Sequence, residues 1–213
     1  PALIVMLVAT LLIGWLILLP DEFKELGRHI AAAPLFSSNF LLLQESGYFE
    51  RAAEQKPLLH LWSLSIEEQF YLLWPVTLIA LWKSRLNLVY LIGLIAFVSF
   101  ELNIYLMQIN PSANFYIPLT RFWEILLGAL LAVIIRDKEF IGIISSYFNP
   151  PNEKYRSLCQ NIMSVLGFLL IAFCILKYKS GDLFPGRRDI LPTIGTVLII
   201  AASSKAWLNK KLL

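Results

Sequence analysis

The sequence predicts an all-α membrane protein that crosses the bilayer about six times. Of its 213 residues, 58% are hydrophobic and 15% are charged, which is too apolar a composition for an ordinary soluble domain of this length. The charged residues avoid the long apolar runs, and those that fall inside them are Glu67, Glu68, Glu101, Arg121 and Glu124. Ionised side chains are costly in hydrocarbon, so this partition is typical of a polytopic membrane protein.

The charge and the histidines exclude two further classes of function. The net charge of +3 is a mild basic excess of the kind that cytoplasmic loops of membrane proteins carry. No basic cluster alternates with aromatic residues, so we expect no nucleic-acid partner. The two histidines, His29 and His60, have no second His or Cys at a ligand spacing, so we predict no metal site and no permanently bound cofactor.

The individual spans follow from the length of the apolar runs. A hydrocarbon core of about 30 Å requires roughly 20 mostly apolar residues in a helix. The predicted spans cover residues 2–19, 61–82, 86–107, 117–135, 158–176 and 190–204. The apolar run 30–43 is shorter and contains Pro34, so we expect an interfacial or re-entrant segment there. A slight bias of Lys and Arg between alternate loops places residues 21–57 outside the cytoplasm.

The two ends of the chain predict that it is an internal piece of a longer protein. It begins at Pro1 with an apolar run and no basic leader, and it ends on a basic segment of the kind that precedes another span. We find no internal repeat. We therefore treat residues 1–213 as one partial transmembrane domain.

The densest group of polar residues within an apolar run is at residues 60–71. On a helix, His60, Ser63, Glu67 and Tyr71 are spaced by three, four and four residues, so they share one face. Glu67 is the candidate catalytic carboxylate, because it could orient a proton-transfer partner or bind an acceptor hydroxyl. The candidate substrate-binding residues are His60, Trp62, Ser63, Glu68 and Tyr71.

A structural explanation of the same residues stays open. Ser63 and Ser65 could cap the helix, with Glu67 and Glu68 in its first turns, where the helix dipole favours negative charge. Trp62 could equally serve packing or an interfacial aromatic belt.

Arg121 and Glu124 form a second candidate pair at the start of a predicted span. They are three residues apart and can pair along one helix face. In a functional interpretation Arg121 faces an anion and Glu124 fixes its orientation, which would make both candidate catalytic residues. In a structural one they neutralise each other so that burial is tolerated. Glu101 has no local partner and could meet Arg121 from the neighbouring helix.

The segment HLWSLSIEEQFYLLWP, residues 60–75, closely resembles the signature of the membrane-bound acyltransferase family 3, which includes bacterial O-antigen and other glycan O-acetyltransferases. The resemblance continues at Ser38-Asn39, Gly47-Tyr48-Phe49, RFWEILLGALLA (121–132) and FPGRRDILPTIGT (184–196). Trp62, Ser63 and Glu67 match its WSLxxE element, and Arg121 with Glu124 matches an RxxE-like element.

The resemblance implies an enzyme of the bacterial inner membrane that transfers an acyl group, usually acetyl, from cytoplasmic acyl-CoA to a carbohydrate hydroxyl outside the cytoplasm. Acetyl-CoA would be the donor, and a cell-surface polysaccharide such as lipopolysaccharide the acceptor. Family members have about ten spans, of which this chain would supply the third to the eighth. A first-span Arg and a His eleven positions later, regarded as catalytic in the family, have no counterpart here. An extracytoplasmic domain could follow the chain.

Two other classes remain open on the sequence. Glu and Arg inside spans also mark the path of a transporter or flippase, in which no group is transferred. A structural membrane scaffold would predict that Glu67→Gln and Arg121→Gln leave activity unchanged.

Overall fold

The computed structural model describes residues 1–46, 56–83, 87–136, 153–179, 185–204 and 206–212, and in these ranges it is helical with no strand. The all-α prediction is therefore confirmed. The helices are α1 Ala2–Ile17, α2 Pro20–Ala32, α3 Ser38–Gln44, α4 Leu61–Lys83, α5 Leu88–Ile109, α6 Pro111–Tyr116, α7 Phe122–Arg136, α8 Glu153–Lys177, α9 Ile190–Ala201 and α10 Trp207–Leu212. Short 3₁₀ turns occupy Ala33–Leu35, Pro118–Thr120 and Gly186–Asp189.

The chain forms two compact units. The first comprises Pro1–Ala80 and Ser112–Pro118, and the second comprises Leu81–Pro111 and Leu119–Leu213. In the first unit α1 packs on α2, and a core of buried apolar side chains joins these helices to the start of α4. Its members are Leu7, Leu26, Ala33, Leu58 and Leu61.

The second unit is built on two helix pairs, α5 with α7 and α8 with α9. In the α8–α9 pair the backbones approach closely at two glycines. A Cβ on Gly167 would lie 2.5 Å from the carbonyl oxygen of Gly195, and a Cβ on Gly195 would lie 2.8 Å from that of Gly167. Because only glycine fits at such a distance, these two residues allow the contact between the helices.

Two of the predicted spans are helices with the length and apolarity to cross a membrane. They are Leu88–Ile109 and the Tyr155–Lys177 part of α8. Helix α1 is also apolar but has 16 residues. These helices are consistent with a membrane protein, and the count of six spans stays a prediction.

The element boundaries differ from the sequence-based ones in several places. The polar segment after residue 20 is the amphipathic helix α2, which begins with Pro20 at its first position, where the missing N–H costs nothing. The predicted span 117–135 begins as helix five residues later, at Phe122, because a 3₁₀ turn that starts with Pro118 precedes it. Segment 30–43 is broken between α2 and α3, where Phe36 adopts a left-handed φ of 50°.

Candidate functional site

The predicted polar stripe lies on helix α4 in the first unit, with His60 just before the helix. His60, Glu67 and Tyr71 are exposed and Ser63 is half-buried, whereas Leu61, Ser65, Ile66 and Phe70 are buried on another face. Neither Glu67 nor the half-buried Glu68 makes an ion pair or hydrogen bond with any residue in the described ranges. The stripe therefore presents carboxylate, imidazole and phenol groups that are accessible within this unit.

The capping explanation of the serines is wrong. Helix α4 begins at Leu61, so Ser63 and Ser65 lie inside it. Their hydroxyls donate to carbonyls of the preceding turn, Ser63 to His60 at 3.2 Å and Ser65 to Leu61 at 3.0 Å. A capping serine would instead accept a hydrogen bond from a backbone N–H at the helix start.

Another residue of the signature, Gln69, ties α4 to the segment around α3. Its amide donates to the carbonyl of Phe36 at 2.6 Å and to Asn39 Oδ1 at 2.9 Å. Asn39 is fully buried and donates in turn to the carbonyl of Tyr116 at 3.0 Å. This chain of amides fixes α3, α4 and the end of α6 together, since a buried amide left unpaired would be costly.

Trp62 packs against aromatic residues at the end of α6. Its ring centroid is 4.4 Å from that of Phe115 and 6.1 Å from that of Tyr116. Trp62 therefore has a packing role in this unit, and its half-buried indole leaves part of the ring accessible.

In the second unit, two polar residues of α5 position the start of α7. Ser99 Oγ donates to the carbonyl of Leu119 at 2.6 Å and accepts from the amide of Trp123 at 3.0 Å. One turn later, Asn103 donates to the carbonyl of Thr120 at 3.2 Å. These bonds hold the backbone on both sides of Arg121, and the bond from Trp123 satisfies an N–H that a helix start leaves without an intrahelical partner.

Arg121 and Glu124 form the predicted pair. Arg121 Nε lies 2.8 Å from Glu124 Oε1, and Nη2 donates to Oε2 at 3.1 Å. The guanidinium is 13% exposed and the carboxylate 24%, so water screens the contact only in part. These two contacts, one of which is a hydrogen bond, orient the guanidinium towards Glu124.

The structure adds Asp189 to this pair, a residue that the sequence analysis did not select. Asp189 ends the turn Gly186–Asp189, and its Oδ2 lies 3.8 Å from Arg121 Nη1 with the side chain 4% exposed. Burial raises the pKa of Asp189 to about 7; the Arg121 guanidinium lowers this pKa, and the nearby Glu124 carboxylate raises it. The sequence shows an aspartate in a turn that begins with Pro-Gly, but only the folded structure shows that this aspartate lies near Arg121.

Glu101 does not take the place expected for it. It is exposed on α5 and makes no ion pair with a residue of the described segments. The second carboxylate of the Arg121 cluster comes from Asp189 instead. The prediction that a carboxylate from another element approaches Arg121 was thus correct, but the residue is Asp189 of the turn before α9 and not Glu101 of α5.

The first unit holds a second ionic cluster that the sequence analysis missed. His29 Nε2 lies 2.9 Å from Glu45 Oε2, and Lys56 Nζ lies 2.5 Å from the same oxygen and 3.4 Å from Glu25 Oε1. A cavity of about 220 Å³ adjoins it, lined in part by Glu22, Glu25, His29 and Lys56. The i, i+4 spacing of Glu25 and His29 was the available signal.

This cluster is also where the described residues bring possible metal ligands together. One ligand atom from each of Glu25, His29 and Glu45 lies within 4.8 Å of the others. However, the Lys56 ammonium contacts both carboxylates and so supplies the positive charge that a metal ion would bring. The geometry therefore describes an ion-paired cluster around a lysine.

The predicted site residues belong to both units: His60, Trp62, Ser63, Glu67, Glu68 and Tyr71 to the first, and Arg121 and Glu124 to the second. The two sets offer different chemistry. The α4 set supplies an accessible carboxylate and aromatic surface, which suit hydroxyl-bearing ligands. The Arg121 cluster supplies an oriented cation beside the half-buried Glu124 and the buried Asp189, and its N–H groups can donate to an anion. The motif residues 47–49 lie outside the described residues.

Comparison with known proteins shows relatives along nearly the whole chain. An uncharacterized protein of Haemophilus influenzae is 33% identical over 215 residues, which cover 96% of this chain and 82% of that protein. Bacillus subtilis YrhL, named as a candidate peptidoglycan O-acetyltransferase, is 30% identical over 95% of this chain. Peptidoglycan O-acetyltransferase OatA of Listeria monocytogenes is 28% identical over 99% of this chain.

The chain covers most of the Haemophilus protein but only part of the named O-acetyltransferases. The chain spans about a third of the length of YrhL and OatA, 32% and 34% respectively. No family model matches the chain, and no solved structure matches it significantly.

Proposed function

Because the chain belongs to one family with the Haemophilus influenzae protein, and because other relatives of the chain are named O-acetyltransferases, we propose that it is part of a membrane-bound O-acetyltransferase acting on carbohydrate of the bacterial cell envelope. The donor is acetyl-CoA, and the acceptor is a hydroxyl of an extracytoplasmic glycan. Peptidoglycan is the first acceptor to test, because OatA is named for that substrate. The protein lies in the inner membrane and crosses it several times.

The observation that carries the proposal is the extent of the similarity to OatA. It covers 99% of the chain, so it includes both α4 and the Arg121 cluster rather than a single apolar helix.

The reaction defines what the site must supply. The acceptor hydroxyl loses a proton as its oxygen attacks the thioester carbonyl, negative charge gathers on the carbonyl oxygen, and the C–S bond breaks to release the thiol of CoA. A base must take the proton and a donor group must stabilise the oxyanion. The net change is one ester formed and one thioester broken.

Arg121 is the group suited to the negative charge, on the donor or on the developing oxyanion. Its guanidinium is oriented because Glu124 contacts two of its nitrogens. A group that is already oriented stabilises developing charge without reorganising during the reaction. In this proposal Glu124 sets the orientation of Arg121.

The α4 set is proposed to bind the acceptor. Glu67 accepts a hydrogen bond from a sugar hydroxyl or orients the proton acceptor, and exposed Tyr71 can donate one. Trp62 offers an apolar ring face of the kind that sugars contact. His60, Ser63 and Glu68 lie along the same stretch and supply further polar contacts.

Incorporation of label tests the proposal. Membranes of cells that express the protein from its complete gene are incubated with acetyl-labelled acetyl-CoA, and label is followed into peptidoglycan and, separately, into lipopolysaccharide. We expect alkali-labile label in peptidoglycan that membranes without the protein do not form, because an O-acetyl ester is cleaved by mild base. Label in lipopolysaccharide alone would keep the transferase and change the acceptor, whereas no label in any glycan would contradict the proposal.

A further inference from the structure

Asp189 lies at the start of helix α9, but its side chain does not cap that helix. It stands at the N-cap of α9, where an aspartate ordinarily accepts a hydrogen bond from a backbone N–H of the first turn. Here the carboxylate makes no capping hydrogen bond. It is buried instead, with Oδ2 3.8 Å from Arg121 Nη1.

The turn that carries Asp189 is built to place it there. Gly186 has a φ of +87°, a left-handed conformation that favours glycine, and a Cβ at this position would lie 3.3 Å from Met107 of α5. Thr193 donates to the carbonyl of Asp189 at 2.6 Å, which holds the end of the turn from the first turn of α9. The backbone is therefore fixed from both sides.

The charges that face Asp189 come mainly from α7. They are the Arg121 guanidinium and the Glu124 carboxylate. Helix α9 contributes no charged residue, and Glu101 of α5 is exposed and unpaired with any described residue. On the turn itself Arg187 and Arg188 are exposed, and the carbonyl of Arg188 accepts a hydrogen bond from Tyr178 at 2.8 Å.

One guanidinium thus meets two carboxylates in a partly buried site. With both carboxylates ionised the cluster carries a net charge of −1, and with one proton it is neutral. Burial favours the neutral state, because a net charge away from water is costly. When Asp189 binds a proton, the Arg121 guanidinium pairs with Glu124 alone; when Asp189 is ionised, the guanidinium pairs with both carboxylates.

We propose that Asp189 is a positioning residue for Arg121: its carboxylate forms an ion pair with the Nη1 side of the guanidinium at 3.8 Å, longer than a hydrogen bond, while Glu124 contacts the Nε and Nη2 side, and protonation of Asp189 removes the ion pair. This inference rests on the proposed acetyl transfer for its kinetic consequence. The raised pKa of Asp189, about 7, places the change near neutral pH. Asp189 therefore gains its proton as the pH falls through this value and loses it as the pH rises through it.

The kinetic test compares the wild type with Asp189→Asn, Asp189→Glu and the control Glu101→Gln between pH 6 and pH 8, at matched amounts of folded protein. We expect the ratio of wild-type to Asp189→Asn transfer rates to rise about tenfold with pH, with a midpoint near 7. Asp189→Glu should restore part of this dependence, and Glu101→Gln should follow the wild type. A ratio that is constant with pH would overturn the proposal and leave Asp189 a structural residue.

A spectroscopic measurement keeps the inference testable if acetyl transfer is not found. Purified protein in lipid nanodiscs is titrated from pH 5 to pH 9, and the infrared band of protonated carboxyl groups is recorded. We expect a component that titrates near pH 7 in the wild type and in Glu101→Gln and is missing in Asp189→Asn. The same component persisting in Asp189→Asn would overturn the proposal, whereas failure of the proposed function alone would leave this component in place.

Discussion

Ser99 holds two backbone groups of the turn that leads into α7, and it can be tested alone. Ser99→Ala leaves the carbonyl of Leu119 and the amide of Trp123 without this partner in a buried setting. We expect the free energy of unfolding to fall by about 1–3 kcal/mol, the usual cost of a buried group that loses its hydrogen bond. Thermal unfolding of the purified protein in detergent measures the change.

Thr77→Ala is the matched control for this hydroxyl deletion. Thr77 is half-buried, and its Oγ1 donates to the carbonyl of Leu73 within α4 in a hydrogen bond that is exposed. We expect a change within about 0.5 kcal/mol, as for most surface substitutions. Equal unfolding temperatures for the wild type, Ser99→Ala and Thr77→Ala would contradict the role given to Ser99.

The residues of the Arg121 cluster differ in how far the sequence predicted them. Arg121 and Glu124 were predictable because an i, i+3 spacing fixes their proximity on any helix. Asp189 was not, because 65 residues separate it from Glu124 and its position depends on the turn before α9. Local spacing carries information about one helix face, whereas contacts between elements depend on packing.

At the scale of elements, the crossing of α8 and α9 depends on Gly167 and Gly195. Gly195→Val would place side-chain atoms where the carbonyl oxygen of Gly167 lies 2.8 Å from the new Cβ, so the helices must separate. We expect a loss of about 1–3 kcal/mol in the free energy of unfolding, the usual cost of overpacking. Chemical denaturation followed by tryptophan fluorescence measures it.

The control for this crossing is Gly93→Ala on α5. A Cβ at Gly93 meets no atom within 4 Å, so the added methyl group has space. We expect stability to stay at the wild-type value or to rise by up to about 1 kcal/mol, because alanine favours a helix interior over glycine. If Gly195→Val were as stable as Gly93→Ala, the close contact between α8 and α9 would not matter for folding.

Helices whose apolar residues dominate were the predictable elements. The predicted ranges 86–107 and 158–176 correspond to α5 and α8, because a long apolar segment in lipid satisfies its backbone hydrogen bonds by forming a helix. Helix α2 was not predicted as a helix. Its many charged residues excluded it as a membrane span, and the amphipathic pattern that indicates a helix was not considered. Helix α7 starts later than predicted because a 3₁₀ turn begins at Pro118 and because Ser99 binds the backbone of that turn. The contact with Ser99 of α5 could not be predicted from the sequence around residue 120.

At the scale of the whole molecule, composition predicted the all-α class and an acyltransferase signature predicted the family. The class is confirmed by the described helices and the acyltransferase family by the relatives. The division into two units was not predicted. Of the proposed site residues, Glu67 lies in the first unit and Arg121 in the second.

The measurement that tests this account most directly is acetyl transfer by Arg121→Lys. Lysine keeps the positive charge but cannot make the two-point contact with Glu124, so Arg121→Lys removes the orientation and leaves the charge. With labelled acetyl-CoA and membranes of matched protein content, we expect the rate of label transfer to glycan to fall about tenfold or more. Glu101→Gln, which removes an exposed carboxylate of α5, should transfer label at the wild-type rate. Transfer by Arg121→Lys at the wild-type rate would contradict the claim that the oriented guanidinium is part of the working site.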